Sequence, residues 1–251
     1  MKRWLTLLIL ISATTTLGDH HHPRQSAHSL SITVEQDLTL DYLLALPDGY
    51  NTSPNQHWPV VLFLHGAGER GDDLEKVKAW GPAKMIEQGQ AIPAIVISPQ
   101  CPEDSWWPQH NDALVALLDE IEANYRVDTD RIYITGLSMG GFGSWSLAGT
   151  IPDRIAAVVP ICGGASWYEA RRIGEYRVPL WAFHGEADNV VEVEESLRAM
   201  KRVRATGHDS VKLTIYPNGN HGAWIPAYAD EDMWAWMFSQ RLSEREAAAK
   251  P

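Results

Sequence analysis

A serine, an acid and a histidine stand in this chain where together they could carry out acyl transfer. Residues 131–145 read RIYITGLSMGGFGSW. Ile132, Tyr133 and Ile134 favour extended backbone, so the run before Gly136 reads as a buried strand. Gly136-Leu137-Ser138-Met139-Gly140 then fits G-x-S-x-G, the pattern of a sharp strand-to-helix turn that strains its serine and exposes the hydroxyl. A glycine turn with a capping serine is the plainer alternative for the same residues.

A serine hydroxyl attacks poorly without a base, and the base needs an acid to orient it. Downstream, HGEADNVV (184–191) supplies an acid beyond a strand and YPNGNHGAW (216–224) supplies His221 beyond the last one. Asp188 is favoured over Glu186 because it lies further out in its loop and its short side chain suits a fixed contact. His184 and His65 directly follow strands and read as loop anchors, which leaves His221 as the base. Acyl transfer also needs two backbone amides aimed at the oxyanion. Met139 N–H, at the start of the helix after Ser138, is one. Ala67 N–H, in the glycine-rich HGAGERG loop (65–71), is the other. Glu69 and Arg70 in that loop read equally as a bracing ion pair or as two solvated charges.

The elements that must hold these residues alternate between strand and helix after residue 28. SLSITVE and LTLDYLLALP read as early strands, and the second ends at the Pro47-Asp48-Gly49 turn. PVVLFL, AIVISPQ, IAAVVPICGG, VPLWAFHG and VKLTIYP read as later strands, most of them apolar throughout. A helical stretch over 73–88 must kink or divide at Gly81-Pro82. Leu114, Leu117, Leu118 and Ile121 space out a helix over 111–125, and further helices are expected over 138–150, 192–205 and 228–249. The reading is an α/β fold with a mostly parallel sheet covered on both faces, in which ligands sit outside the carboxyl ends of the strands. No internal repeat or low-complexity linker interrupts residues 29–251.

Composition narrows the function classes. The 251 residues carry a formal net charge of −11, with 45% hydrophobic and 21% charged residues. A sizeable core is affordable, and nucleic acid or an anionic membrane is excluded as the main partner. Residues 1–18 have a charged start at Lys2-Arg3, an apolar run from Trp4 to Ile11 and a small-residue end at Thr16-Leu17-Gly18, the form of an export signal; a frayed end or a single anchor is the alternative. Cleavage would leave residues 19–28 as a disordered leader, make the charge two units more negative, and place the enzyme in a secreted or periplasmic setting without stable membrane association. The His20-His21-His22 run reads as part of that leader, or, after cleavage at Gly18, as a copper or nickel chelate. The chemistry itself calls for no cofactor and no metal.

LFLHGAGERG, GLSMGG, HGEADNVV and NHGAW, in that order, resemble the α/β-hydrolase superfamily. Within it the chain is similar to the single-domain esterases grouped with dienelactone hydrolase, feruloyl and acetyl-xylan esterases, and prolyl-oligopeptidase-like peptidases. The likeness runs from about Ser29 to Leu242. It implies an α/β-hydrolase fold with eight strands ordered 1-2-4-3-5-6-7-8. That order sets Cys101 and Cys162 three strands apart, about 14 Å at ~4.8 Å per strand, so both are expected to be free thiols. It also implies that GASWYEARRIGEYR (164–177) stands where relatives carry a lid, and that stretch is too short for one.

An open site suits soluble or bulky esters. Trp106, Trp107, Trp167 and Trp224 follow strands at the face where substrate must lie, and flat apolar rings stack on aromatic acyl groups or sugar faces. The expected partner is therefore a small-molecule or polysaccharide-linked ester. A peptidase using the same residues and a non-catalytic hydrolase-like binding scaffold are the competing readings.

Overall fold

The computed structural model describes residues 27–32 and 39–245. The chain divides into two units, Met1–Thr39 and Leu40–Pro251. In the first, residues 27–32 have no regular secondary structure. The export segment and the His20-His21-His22 run lie outside the described residues.

The second unit is built on one sheet. Its strands are β1 (Tyr42–Ala45), β2 (Trp58–Leu64), β3 (Ile95–Pro99), β4 (Val127–Leu137), β5 (Ala157–Ile161), β6 (Trp181–Gly185) and β7 (Lys212–Tyr216). The sheet order is β1-β3-β2-β4-β5-β6-β7. β1 pairs antiparallel with β3 and every other pairing is parallel. Seven strands rather than eight are thus present among the described residues, in the expected order. The expected first strand, residues 29–35, has no regular structure over 29–32, and its remainder lies outside the described residues.

Alternation along the strands explains the two-sided core. Val60, Leu62 and Leu64 of β2 point to one face, where they join residues of α2 (Asn111–Asn124), α3 (Met139–Thr150), α4 (Trp167–Glu175) and α5 (Glu194–Arg204). Val61 and Phe63 point to the other, with α1 (Gly81–Glu87), α6 (Trp224–Tyr228) and α7 (Glu231–Ser239). Fully apolar strands are what a sheet buried on both faces requires. No helix among the described residues is long and apolar enough to cross a membrane.

Two helical expectations are corrected in detail. The 73–88 stretch divides at Trp80: a 3-10 helix spans Leu74–Ala79 and α1 follows, because Gly81 adopts φ +63° and Pro82 starts the new helix. The helix expected over 228–249 is shorter: α6 ends at Tyr228, and α7 follows after a break. Asp230 separates them by accepting from the Asp232 and Met233 amides as an N-cap, and α7 ends at Ser239.

Candidate active site

Ser138 sits between β4 and α3 at φ 53°, ψ −117°, a conformation that side-chain-bearing residues rarely adopt. Packing enforces it. Side chains at Gly136 and Gly140 would run into the carbonyls of Gly140 and Leu64, so only glycine lets the helix approach the sheet this closely. The Ser138 amide donates to the Ile161 carbonyl of β5 at 2.9 Å, and this tie holds the turn over the sheet edge.

His221 lies between the serine and the acid. Its Nε2 is 2.8 Å from Ser138 Oγ, and its Nδ1 is 2.7 Å from Asp188 Oδ2. The carboxylate can only accept, so Nδ1 carries the proton and Nε2 is left to accept from the serine hydroxyl. Asp188 is buried, and its other oxygen accepts from the Val190 and Val191 amides, each at 2.9 Å. Burial alone would raise the Asp188 pKa, but the His221 hydrogen bond and the two amides outweigh it and hold the carboxyl below its usual range. Glu186, the alternative acid, accepts from the Asn218 amide and braces the turn that precedes His221.

The loop after β2, where the oxyanion donor Ala67 is expected, is set from beneath by His65. Its Nε2 accepts from the Cys101 amide at 2.9 Å, which leaves Nδ1–H to donate to the Gly66 carbonyl at 2.6 Å. Burial pushes the His65 pKa down to about 4, so the ring is a neutral anchor. Ala67 is the first residue of a short 3-10 helix (Ala67–Glu69), and Met139 is the first residue of α3. First-turn amides have no partner inside their own helix, which is the position the expected oxyanion role of Ala67 and Met139 calls for. The Glu69–Arg70 question resolves in neither expected way. Arg70 donates to the carbonyls of Ala67 and Ser105, while Glu69 is buried with Oε2 4.0 Å from His65 Nδ1.

The four tryptophans part company. Trp106 is exposed and tilts against Phe142, one turn into α3, with centroids 5.8 Å apart. Trp224 crosses the His221 imidazole edge-on at 5.1 Å and 88°. Trp107 is corrected from substrate wall to core: it is fully buried, packs on the His65 ring and donates to the His65 carbonyl at 2.9 Å. Trp167 is exposed at the start of α4. It lines a groove with Arg171, Glu175, Arg202 and Thr206, between α4 and α5 and leading to the far ends of those helices.

Three further residues near the site were given no place in it by the sequence reading. Phe142 and Trp80 are aromatic neighbours of Trp106 and Trp224. Trp80 is half-buried and directly precedes the Gly81-Pro82 break, the only local signal of a change in chain direction there. The third is Cys162, which packs with His184 and Asp188 so closely that their ligand atoms lie within 4.8 Å of one another. These groups already have other work: His184 contacts Ser196 and Val191, Asp188 holds His221, and burial pushes the Cys162 thiol up to about 12. Cys101 and Cys162 are both free and buried.

Relatives share this architecture. The chain is 25% identical over 226 residues to "Probable feruloyl esterase C" of Aspergillus terreus, covering 88% of this chain and 82% of that protein. It is 25% identical over 182 residues to the "Bifunctional acetylxylan esterase/xylanase XynS20E" of Neocallimastix patriciarum, covering 67% of this chain but only 25% of that protein. A solved thermostable esterase is 34% identical, with a TM-score of 0.69 over 80% of this chain and 59% of its own. Est1E of Butyrivibrio proteoclasticus, solved with ferulic acid bound, is 16% identical with a TM-score of 0.58 over 80% of this chain and 95% of its own, a likeness of fold. Residues 103–248 match the model of the dienelactone hydrolase family, more than half the chain and the part that holds Ser138, Asp188 and His221. By that match, on a sheet ordered and a serine turned as described, the chain belongs to the dienelactone hydrolase family.

Proposed function

We propose that this chain is a serine carboxylic-ester hydrolase acting through Ser138, His221 and Asp188. The observation that carries the proposal is the placement of His221, bonded to the serine on one side and the carboxylate on the other. In the reaction, Ser138 Oγ attacks the ester carbonyl while its proton passes to His221 Nε2. Asp188 orients the imidazole and stabilises the imidazolium. The tetrahedral oxygen lies against the Ala67 and Met139 amides. Collapse breaks the bond to the alcohol oxygen, which takes the proton from His221 and leaves. Water then attacks the acyl-serine, gives a proton to His221, and releases the carboxylic acid as that proton returns to Ser138. One water is consumed, and no cofactor takes part.

The substrate class proposed is an acetyl or feruloyl ester on polysaccharide. Support comes from the names of the fungal relatives and from the half-open aromatic surroundings of Ser138. Between β5 and β6 the described chain carries only α4, which supports a site without a lid. With residues 1–18 read as an export segment, the enzyme meets its substrate outside the cytoplasm.

Labelling with a fluorophosphonate should modify Ser138 and nothing else. Ser138→Ala should lower kcat by roughly 10³-fold or more. A folded Ser138→Ala protein that keeps its activity defeats the assignment. Feruloyl or acetyl-sugar esters turned over no better than butyrate esters defeat the substrate class alone.

A further inference from the structure

The nucleophile has two aromatic walls, and they belong to different parts of the fold. On the histidine side, Trp224 lies edge-on to His221 at 5.1 Å, and Trp80 meets Trp224 at 5.8 Å and 67°. Both rings are half-buried, and Lys84 Nζ lies 4.5 Å from the Trp80 ring centre. Trp106 and Phe142 form the other wall, tied to the serine through the Phe142 amide, which donates to the Ser138 carbonyl at 3.1 Å.

Proton transfer distinguishes the two. At bond cleavage the leaving oxygen must face His221 Nε2, because that nitrogen returns the proton to it. The alcohol half of the ester therefore departs along the side where Trp224 touches His221. The acyl half, still on Ser138, stays with the wall that His221 does not touch. Sugars offer C–H faces for stacking and hydroxyls for hydrogen bonding, and the first wall offers the rings of Trp224 and Trp80, the latter with the Lys84 ammonium over one face as a donor.

We infer that Trp80, with Trp224, forms the subsite for a sugar alcohol, and that Trp106 with Phe142 forms the wall for the acyl group. This rests on the proposed role of Ser138 and His221. It has a kinetic consequence that does not depend on which acid is used. Acylation involves both halves of the ester, but deacylation involves only the acyl half, since the alcohol has already gone. Trp80 can therefore act only on acylation, whereas Trp106 acts on both steps.

The test uses paired esters of one acid, the methyl ester and the pentose ester, in a feruloyl and an acetyl series. Rapid quench and mass spectrometry follow the acyl-enzyme on the full chain. Trp80→Ala should lower kcat/KM for the pentose ester by roughly tenfold, change the methyl ester by less than twofold, and leave the deacylation rate of the shared acyl-enzyme as in wild type. Trp80→Leu, which keeps apolar bulk against Trp224 but removes the flat ring, should show the same ester-specific loss. Trp106→Ala should slow deacylation whichever ester was used. Equal losses on both esters in the Trp80 variants, or slower deacylation in either, overturn the subsite. Failure of a fluorophosphonate to label Ser138 in the folded wild type overturns the triad reading as well, so the two failures are told apart.

Discussion

His184 and Asp188 lie 3.4 Å apart, imidazole Nε2 to carboxylate Oδ2, with both side chains fully buried. The Asp188 carboxylate is thus bordered by two imidazoles, of which His221 reaches Ser138. His184 Nε2 also lies 2.8 Å from the Val191 carbonyl, an acceptor, so this nitrogen carries a proton. Its Nδ1 is 2.7 Å from Ser196 Oγ, which in turn reaches the Gly163 carbonyl at 2.8 Å. The strap from Asp188 to Val191 is therefore pinned to α5 and to the end of β5 through one ring.

Removing that ring should disturb both stability and turnover. His184→Ala leaves the Val191 carbonyl buried without its partner, removes one of the two partners of the Ser196 hydroxyl and opens a cavity, at a cost of about 2–4 kcal/mol. The loosened strap should also lower kcat/KM by roughly tenfold or more through misplacement of Asp188. His184→Gln, whose amide N–H can reach Val191, should recover part of both. Urea unfolding and ester hydrolysis on the three proteins read this out. Wild-type kinetics in a destabilised His184→Ala protein would leave the residue a purely structural one.

The strain at Ser138 has its own signature. Alanine keeps a Cβ at φ 53°, ψ −117°, whereas glycine enters that region freely. Both substitutions remove the hydroxyl and its bond to His221. Ser138→Gly should therefore be more stable than Ser138→Ala by about 1 kcal/mol, although glycine elsewhere usually costs stability. Denaturation midpoints compared at equal m-values test this, and alanine proving the more stable would show that the turn is relaxed.

Much of this site was legible because strand ends in a parallel sheet leave few places for chemistry. The glycines around Ser138 signal a close approach that the Leu64 and Gly140 carbonyls confirm, and loop position separated Asp188 from Glu186 before their contacts were known. The tryptophans were harder. Trp106 and Trp107 are adjacent in the chain, but the 3-10 helix that starts at Trp107 turns that ring inward onto His65 and leaves Trp106 outside. Nothing in the letters WW tells which one turns in. Trp80 and His221 are 141 positions apart and meet only through Trp224, a juxtaposition that the order of the sheet creates. The Glu69–Arg70 pair was misjudged because adjacent charges need not face each other; backbone carbonyls took the arginine.

The two thiols give a simple contrast between native and unfolded chains. Both are buried, and burial raises each pKa, that of Cys162 to about 12 with the Asp188 charge adding to the effect. Little thiolate exists at neutral pH, and reagents have no route to either sulfur. Native protein should react slowly with a thiol reagent, and protein denatured without reductant should release two thiols per chain. Rapid native labelling, or none after denaturation, would contradict the burial or the free state respectively.

Asp188 links the site to acid stability. Its folded pKa lies below the ordinary value of 3.8, so the carboxylate stabilises the fold above the unfolded pKa and that contribution is lost as pH falls through the folded value. Asp188→Asn cannot ionise. The stability gap between wild type and this variant should be widest near pH 7 and should narrow below pH ~4. The variant should also lose roughly 10³-fold or more in kcat, because an amide neither fixes the tautomer nor stabilises the imidazolium. Urea unfolding at pH 7 and pH 3 decides the first point; a gap independent of pH would mean that the carboxylate is not what the fold gains.

Glu69 should behave in the opposite sense. It is buried in the turn that begins at Ala67, and its Oε2 has no hydrogen-bond partner among the described residues. Burial pushes its pKa above the ordinary 4.5. A folded value above the unfolded one means that the stability present at low pH is lost as pH rises through the folded pKa. Glu69→Gln keeps the shape and never ionises, so it should gain on wild type as pH climbs from 4.5 toward 7 and show its largest advantage at neutral pH. The same substitution should leave the His65 bonds to Gly66 and Cys101 intact, since neither involves the carboxylate. Thermal denaturation of both proteins across that range is the measurement. A Gln variant that loses stability at neutral pH would mean that the ionised carboxylate has a partner, and that the oxyanion loop is held by charge as well as by the neutral histidine beneath it.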